Sequence, residues 1–192
     1  RQRQMCIRDR VYGPKGIGAL YVGERARPLL QAQIHGGGHE GGLRSGTLAT
    51  HQIVAMGAAF ALAGEVQREE QDRIRCLRER LLTKLRDISG LLINGGAGQV
   101  IPHTLSLTFS GDSLDLSVLG RTLAFSSTSA CNSGSSSPSH VLLALGHDSY
   151  LAGQTIRLSL GRFTRVSDVD RAADAIHAAL HLSLIHISEP TR

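Results

Sequence analysis

The most reactive side chain in this sequence is a thiol that lies among small polar residues. Cys131 belongs to the segment 126–138, which reads SSTSACNSGSSSP and contains almost only small side chains. Such a segment has little apolar surface to offset the entropy cost of ordering, so the sequence predicts a mobile loop. A thiol on such a loop can accept a sulfur atom at one place and release it at another, because this chemistry needs only thiolate character and access.

The alternative for Cys131 is a buried structural cysteine, which is the usual environment of a free thiol. The polar neighbours of Cys131 argue against burial. Cys76 and Cys131 show no CxxC spacing, so the sequence supports neither a disulfide framework nor a zinc site. A reducing compartment fits this cysteine usage.

Two further groups could bind anions. Arg157 lies between Ile156 and Leu158 on a predicted strand, so its side chain should point away from both. A guanidinium matches a carboxylate in two parallel hydrogen bonds. Thr47 ends the glycine-rich stretch 35–47, whose backbone can approach an anion closely. Two alternatives remain open. Arg157 could instead form a salt bridge at the surface, and the stretch that ends at Thr47 could be an ordinary flexible loop.

A metal site is not expected in the glycine-rich stretch. His35, His39 and Glu40 are possible ligands, but three glycines separate the two histidines. Histidines four residues apart face the same way only on a helix, and glycine disfavours one.

The two ends of the chain do not resemble evolved protein. Residues 1–10 and 182–192 are similar to translated sequencing-adapter DNA, and we set both aside from the fold. This leaves 16 basic and 14 acidic residues, a net charge of +2, whereas all 192 residues carry +5. Neither nucleic acid nor a membrane is therefore expected as a partner. No apolar run reaches the roughly 18 residues of a membrane helix.

The middle of the chain alternates strand and helix patterns, which predict α/β structure in the first third and α+β structure afterwards. We expect strands at 18–22, 91–93, 104–109 and 155–160. We expect helices at 53–85, from 112 or 113 to 123, at 139–145, and from 167 onward with Asp168 and Asp170 in the first turn.

Four motifs occur in the same order as in cysteine desulfurases of the NifS/IscS type. They are VYGPKGIGALYV at 11–22, HGGGHEGGLRSGT at 35–47, SAC at 129–131 and IRLSLGRF at 156–163. Together they resemble the C-terminal half of such an enzyme across essentially all of residues 11–180. Each motif alone is weak evidence, and four in register are specific.

The resemblance implies an α/β fragment of the pyridoxal-phosphate-dependent, aminotransferase-like architecture known as fold type I. Residues 11–65 would be the end of the cofactor-binding large domain. Residues 66–181 would be the α+β C-terminal small domain, which carries the cysteine loop at about 126–138. The length of the serine-rich segment favours the long-loop subgroup of these enzymes.

The resemblance also implies an activity, namely removal of sulfur from L-cysteine to give L-alanine and a persulfide on Cys131. Arg157 would bind the substrate carboxylate, and Arg162 would be the more structural of the two arginines. Thr47 would bind the phosphate of pyridoxal 5'-phosphate in the partner subunit of a homodimer. No resident metal is expected, although Cys131 could contact a nascent iron–sulfur cluster.

The implied partners are an iron–sulfur scaffold or another sulfur acceptor, serving cluster assembly or tRNA thiolation in the cytoplasm. Two alternatives remain open. One is a related enzyme of the same fold, such as a selenocysteine lyase or a class V aminotransferase. The other is a non-catalytic fragment that acts only as a binding module.

One family residue has no counterpart in this sequence. The family places its Schiff-base lysine immediately before the segment that begins here at Val11, and this chain has Arg10 there. An arginine stays protonated near neutral pH and cannot form an imine with the cofactor. Lys15 is not a substitute, because it matches the lysine of the family's YGPKG motif.

We therefore predict that the chain as written neither binds pyridoxal phosphate covalently nor removes sulfur from cysteine. Purified chain mixed with the cofactor should show no imine absorbance band. A clear band that borohydride traps would contradict this prediction.

Overall fold

The computed structural model describes residues 7–95, 100–111, 114–127 and 138–187. The chain divides into two compact units, Arg1–Arg68 and Glu69–Arg192, with the boundary inside one long helix. The elements in chain order are α1 Ile7–Arg10, α2 Thr50–Lys84, β1 Leu91–Ile93, β2 Thr104–Phe109, α3 Leu116–Leu119, α4 His140–Ala144, α5 Ser149–Gly153, β3 Thr155–Ser159 and α6 Val166–Ile187.

The first unit is largely irregular before α2 begins. Short 3₁₀ turns form at Arg27–Leu29 and Glu40–Gly42. The predicted strand at 18–22 is wrong, because its residues form no strand and Tyr21 is 93% exposed. A strand needs a hydrogen-bonded neighbour, and the described part of this unit contains no other strand that could pair with it.

Helix α2 confirms the helix predicted at 53–85 and begins three residues earlier, at Thr50. Its sequence contains no proline and is rich in Ala, Leu, Glu and Arg, which are strong helix formers. In the second unit, Leu77, Leu81 and Leu85 recur every four residues and are buried. This spacing forms one apolar stripe along the helix.

The second unit is built on an antiparallel sheet in the order β1-β2-β3. All three of its predicted strands are confirmed, with the last ending at Ser159 instead of residue 160. Leu105 pairs with Leu158 and Leu107 pairs with Ile156, so these side chains share one face. The alternate residues, which are mostly Ser and Thr, share the opposite face.

The core lies on the apolar face of this sheet. The stripe of α2 packs there together with α6, which contributes Val169, Ala173, Ile176 and Leu180 at helical spacing. Ala172 and Ala179 of α6 are also buried in this core. Burial of this shared face is what stabilises the second unit.

Two short helices begin at aspartate caps that their sequence patterns do not predict. The Asp115 carboxylate accepts hydrogen bonds from the backbone of Ser117 and Val118, so α3 begins after Asp115. Residues 112 and 113, the predicted caps, lie outside the described residues. Helix α5 was missed altogether, and it begins where the Asp148 carboxylate accepts from the backbone N–H of Leu151.

The remaining two helices follow their predictions closely. Helix α4 lies within 139–145, and α6 begins one residue before the predicted position 167. The backbone of α6 continues as helix to Ile187, into the tail 182–192 that resembles translated adapter DNA. Within the described residues, no helix combines the length and apolar character needed to cross a membrane.

Leu107→Ala should destabilise the second unit by about 2–5 kcal/mol, because it leaves a cavity in the core. Leu107 is fully buried, whereas its strand partner Ile93 is 45% exposed. Ile93→Ala is therefore the matched control and should cost about 1 kcal/mol or less. Urea unfolding followed by circular dichroism measures both. Equal losses of unfolding free energy would contradict this assignment of the core.

Candidate functional site

Arg157 lies on the polar face of the sheet. Its neighbours Ile156 and Leu158 are buried on the opposite face, while Arg157 itself is half-buried, as the alternation predicts. Its guanidinium makes no hydrogen bond or ion pair with another described residue. Arg162 differs, because its guanidinium lies 3.0 Å from the Glu70 carboxylate. Of these two arginines, Arg157 is the one whose charge is available for a ligand.

Two serines flank Arg157 on the same face of the sheet. Ser106 is its register partner on β2, and Ser126 forms an isolated antiparallel bridge on the other side. The Ser126 bridge uses both backbone groups of Arg157, through Ser126 N–H to Arg157 O (3.1 Å) and Arg157 N–H to Ser126 O (2.7 Å). The resulting row of Ser106, Arg157 and Ser126 could not be identified before the pairing of the strands was known.

The hydrogen bonds of the Arg157 backbone determine how close the Arg157 and Ser106 side chains lie. Because its N–H and C=O both point to Ser126, the pair with Ser106 is the non-hydrogen-bonded kind. In such pairs the Cα atoms lie only about 4.5 Å apart and the side chains are closest. Ser106 is therefore the nearest cross-strand neighbour of Arg157.

A network of polar side chains adjoins Ser106. The Asn94 side-chain amide donates to Ser106 Oγ (3.0 Å) and to Thr108 Oγ1 (2.9 Å). Asn94 Oδ1 lies 2.6 Å from His147 Nε2, and Thr108 Oγ1 lies 2.7 Å from Thr155 Oγ1. The network ties Ser106 to Asn94, just after β1, and through Asn94 to His147, just before α5, so the Ser106 hydroxyl oxygen is held in place.

The turn that follows β3 is held by α2. The Arg73 guanidinium donates to the carbonyls of Gly161 (3.0 Å), Arg162 (2.8 Å) and Thr164 (2.8 Å). The half-buried pair of Glu70 and Arg162 adds a second tie between the same elements. These contacts fix the end of the strand that carries Arg157.

Thr47 lies in the first unit, at the end of a loop that is closed on itself. Ile34 and Arg44 form a parallel bridge, and the buried Ser45 hydroxyl accepts from the backbone N–H of Gly38 (3.2 Å). Gly46 has φ +124°, and a Cβ there would lie 2.9 Å from the Arg44 guanidinium. Thr47 is exposed directly after this glycine, and its hydroxyl bonds to no other described residue.

His39 has a role in the structure that the sequence did not indicate. Its Nδ1 accepts a hydrogen bond from the backbone N–H of Gly46 at 3.4 Å. This bond stabilises the turn immediately before Thr47. No cluster of three or more His, Cys, Asp or Glu side chains with metal-binding geometry occurs within the described residues.

Cys131 lies outside the described residues, as does most of the predicted loop 126–138. Ser126 and Ser127 are the last described residues before it, and Pro138 is the first after it. The other cysteine within residues 11–181, Cys76, is exposed on α2.

The sequence matches the family model of class-V aminotransferases over residues 9–172. The chain therefore belongs to the aminotransferase class-V family.

Relatives within this family are named as cysteine desulfurases. The cysteine desulfurase IscS of Methylococcus capsulatus is 54% identical over 170 residues, which cover 87% of this chain and 42% of that protein. The IscS of Vibrio atlanticus is 49% identical over 175 residues, 90% of this chain and 43% of that protein. This chain thus spans less than half the length of the curated relatives it matches.

A solved structure agrees with these sequence comparisons. A NifS-like protein from Rickettsia africae superposes with a TM-score of 0.67 at 27% identity, covering 78% of this chain and 39% of its own. The comparisons confirm the resemblance to NifS/IscS-type proteins and the predicted α/β class, as part of the fold type I architecture.

Asp168 stabilises the start of α6, just after the turn that ends the Arg157 strand. The backbone N–H of Arg165 donates to its carboxylate (2.9 Å), and the Arg171 guanidinium donates as well. These bonds, the backbone bond foremost, lower the pKa of Asp168 below its ordinary value. Charged Asp168 therefore favours the folded state.

The contribution of Asp168 to stability should depend on pH. A carboxyl whose pKa is lower when folded stabilises the protein above its unfolded pKa of about 3.9, and this stabilisation is lost as pH falls through the lower folded value. Asp168→Asn should therefore flatten the fall in unfolding free energy below pH 4. Asp174→Asn is the control, because Asp174 is exposed on the same helix. Identical pH profiles for the two variants would contradict this role.

Proposed function

We propose that this chain is part of a cysteine desulfurase, which takes sulfur from L-cysteine and leaves L-alanine. The observation that carries the proposal is the half-buried residue Arg157, which lies on a polar sheet face and whose guanidinium has no partner among the described residues. An unpaired, partly buried charge is costly unless a ligand pairs with it. The similarity to proteins named cysteine desulfurase indicates which ligand this is.

Arg157 binds the carboxylate of the substrate. Its planar fork donates two parallel hydrogen bonds, one to each carboxylate oxygen. One solved relative, SspA in complex with cysteine, supports cysteine as the substrate proposed for this chain. It is 34% identical with a TM-score of 0.58, covering 81% of this chain and 42% of its own.

Cys131 accepts the sulfur. Its thiolate attacks the sulfur of the bound substrate, an S–S bond forms, and the C–S bond of the substrate breaks. The electron pair stays with the carbon skeleton, which takes up a proton and leaves as alanine. Ser126, which is hydrogen-bonded to Arg157, is only five residues before Cys131 in the sequence, and this proximity supports the pairing of their roles.

The described residues fit the phosphate end of pyridoxal phosphate. Thr47 offers an exposed hydroxyl directly after Gly46, and the Arg44 guanidinium lies next to the same glycine, 2.9 Å from where a Cβ would be. When bound, the cofactor withdraws electrons from the carbon skeleton of the substrate. Thr47 holds and orients the phosphate, and Arg44 adds positive charge to the same loop.

The arrangement of the whole enzyme follows from the same proposal. Residues 11–65 belong to the large domain and residues 66–181 to the small domain. The enzyme is a cytoplasmic homodimer in which Thr47 serves the partner subunit's cofactor. The persulfide on Cys131 passes to an iron–sulfur scaffold or another sulfur acceptor.

The activity can be tested in a chimera that joins residues 11–181 to the upstream half of the Methylococcus capsulatus relative, which supplies the Schiff-base lysine. The chimera should form alanine from cysteine and carry one extra sulfur atom on Cys131 by mass spectrometry. Cys131→Ala should abolish both, whereas Cys76→Ala, at the exposed cysteine of α2, should change neither. Arg157→Lys should raise KM for cysteine about 10–100-fold, because the two parallel bonds are lost.

Two outcomes would count against the proposal. An aminotransferase needs no thiol, so full turnover by the Cys131→Ala chimera would favour that alternative. A chimera that binds the cofactor yet leaves cysteine unchanged would favour the non-catalytic binding module.

A further inference from the structure

We propose that Ser106 is a second donor to the α-carboxylate that Arg157 binds, and that it helps select substrates that carry this group. The inference rests on the role proposed for Arg157. The inference follows from the hydrogen bonds of Asn94, Thr108 and Thr155, which show which atom donates each hydrogen.

The hydrogen positions are fixed from the buried end of the network. The Thr155 hydroxyl donates to the carbonyl of Leu151 at 2.9 Å. A threonine hydroxyl has one hydrogen, so Thr155 can only accept in its 2.7 Å contact with Thr108. Thr108 therefore donates its own hydrogen to Thr155 and must accept from Asn94.

The orientation of the Asn94 amide follows from this result. Its NH₂ group faces Thr108 and Ser106 and uses one hydrogen on each. Its oxygen lies 2.6 Å from His147 Nε2 and accepts from it in the tautomer that carries a hydrogen there. A flipped amide would place its oxygen against Thr108, whose only hydrogen is already donated to Thr155. Ser106 is consequently an acceptor in the network, and its hydroxyl hydrogen remains to be donated.

Ser106 has no acceptor for this hydrogen among the described residues. It is the closest cross-strand neighbour of Arg157, on the same face of the sheet. A carboxylate bound by the guanidinium fork uses one lone pair on each oxygen and keeps others free. The Ser106 hydroxyl can donate to one of these free lone pairs. A hydrogen bond to a charged acceptor is stronger than one between neutral groups.

The proposal can be tested on the chain itself with ¹⁵N-labelled protein and L-alanine as the probe, because alanine carries the carboxylate. The Arg157 Nε–H signal should shift as alanine is added. Ser106→Ala should weaken alanine binding about tenfold, the usual scale for one hydrogen bond to a charged group. Ser106→Thr, which keeps the hydroxyl, should restore binding. Ser159→Ala, on the same face two residues from Arg157, is the matched control and should bind like the parent chain.

The second probe is ethylamine, which is alanine without its carboxylate. It should not shift the Arg157 signal, and Ser106→Ala should not change its effect. Alanine binding that is unaffected by Ser106→Ala would overturn the inference while leaving Arg157 in its role. An Arg157 shift with ethylamine as large as the shift with alanine, reduced equally by Ser106→Ala, would also overturn it, since the response would then not depend on the carboxylate. No shift at Arg157 with alanine in the parent chain would refute the role of Arg157 itself, and with it the proposal for Ser106.

Discussion

The pairing of β2 with β3 is the constraint on which the second unit depends. Its register places Leu107 opposite Ile156 and Ser106 opposite Arg157, so a single alignment determines both the core and the polar face. A slip of one residue would expose the apolar residues and bury the guanidinium. The energy of the core therefore also holds the candidate ligand-binding residues in position. Neither face of the sheet can change its register without changing the other.

Helix α2 links the stability of this unit to its candidate site. In the second unit, its leucine stripe packs into the core, and its polar side supplies Glu70 and Arg73 to the turn after β3. Arg73 binds three carbonyls of that turn, and one of them, Gly161 O, also accepts from the backbone N–H of Thr164 at 3.1 Å. Because one rigid helix makes both kinds of contact, the strand that carries Arg157 ends in a defined place. A guanidinium can bind a carboxylate with two bonds only if its strand is fixed in this way.

The polar network at Asn94 shows how a sheet face can carry chemistry without a deep pocket. Thr108 and Thr155 are buried and bonded to each other, and Asn94 and the Leu151 carbonyl supply their remaining partners, which offsets the cost of burial. Asn94 and His147 extend the chain of bonds outward to Ser106, which keeps one hydrogen for a ligand. In the first unit, the loop before Thr47 follows a similar rule. Ser45 and His39 satisfy the backbone of the glycine-rich segment and leave the Thr47 hydroxyl exposed.

The sequence by itself determined the family, the three strands of the sheet, the long helix and the outward direction of Arg157. These follow from local patterns, namely alternation with period two, apolar residues at helical spacing, and four motifs in order. The failures have equally physical causes. The segment 18–22 has the composition of a strand but no partner, and α3 and α5 depend on single capping aspartates, Asp115 and Asp148. The roles of Ser106, Asn94 and His147 were decided only by the tertiary structure, because cross-strand register and side-chain hydrogen bonds join residues that are far apart in the chain.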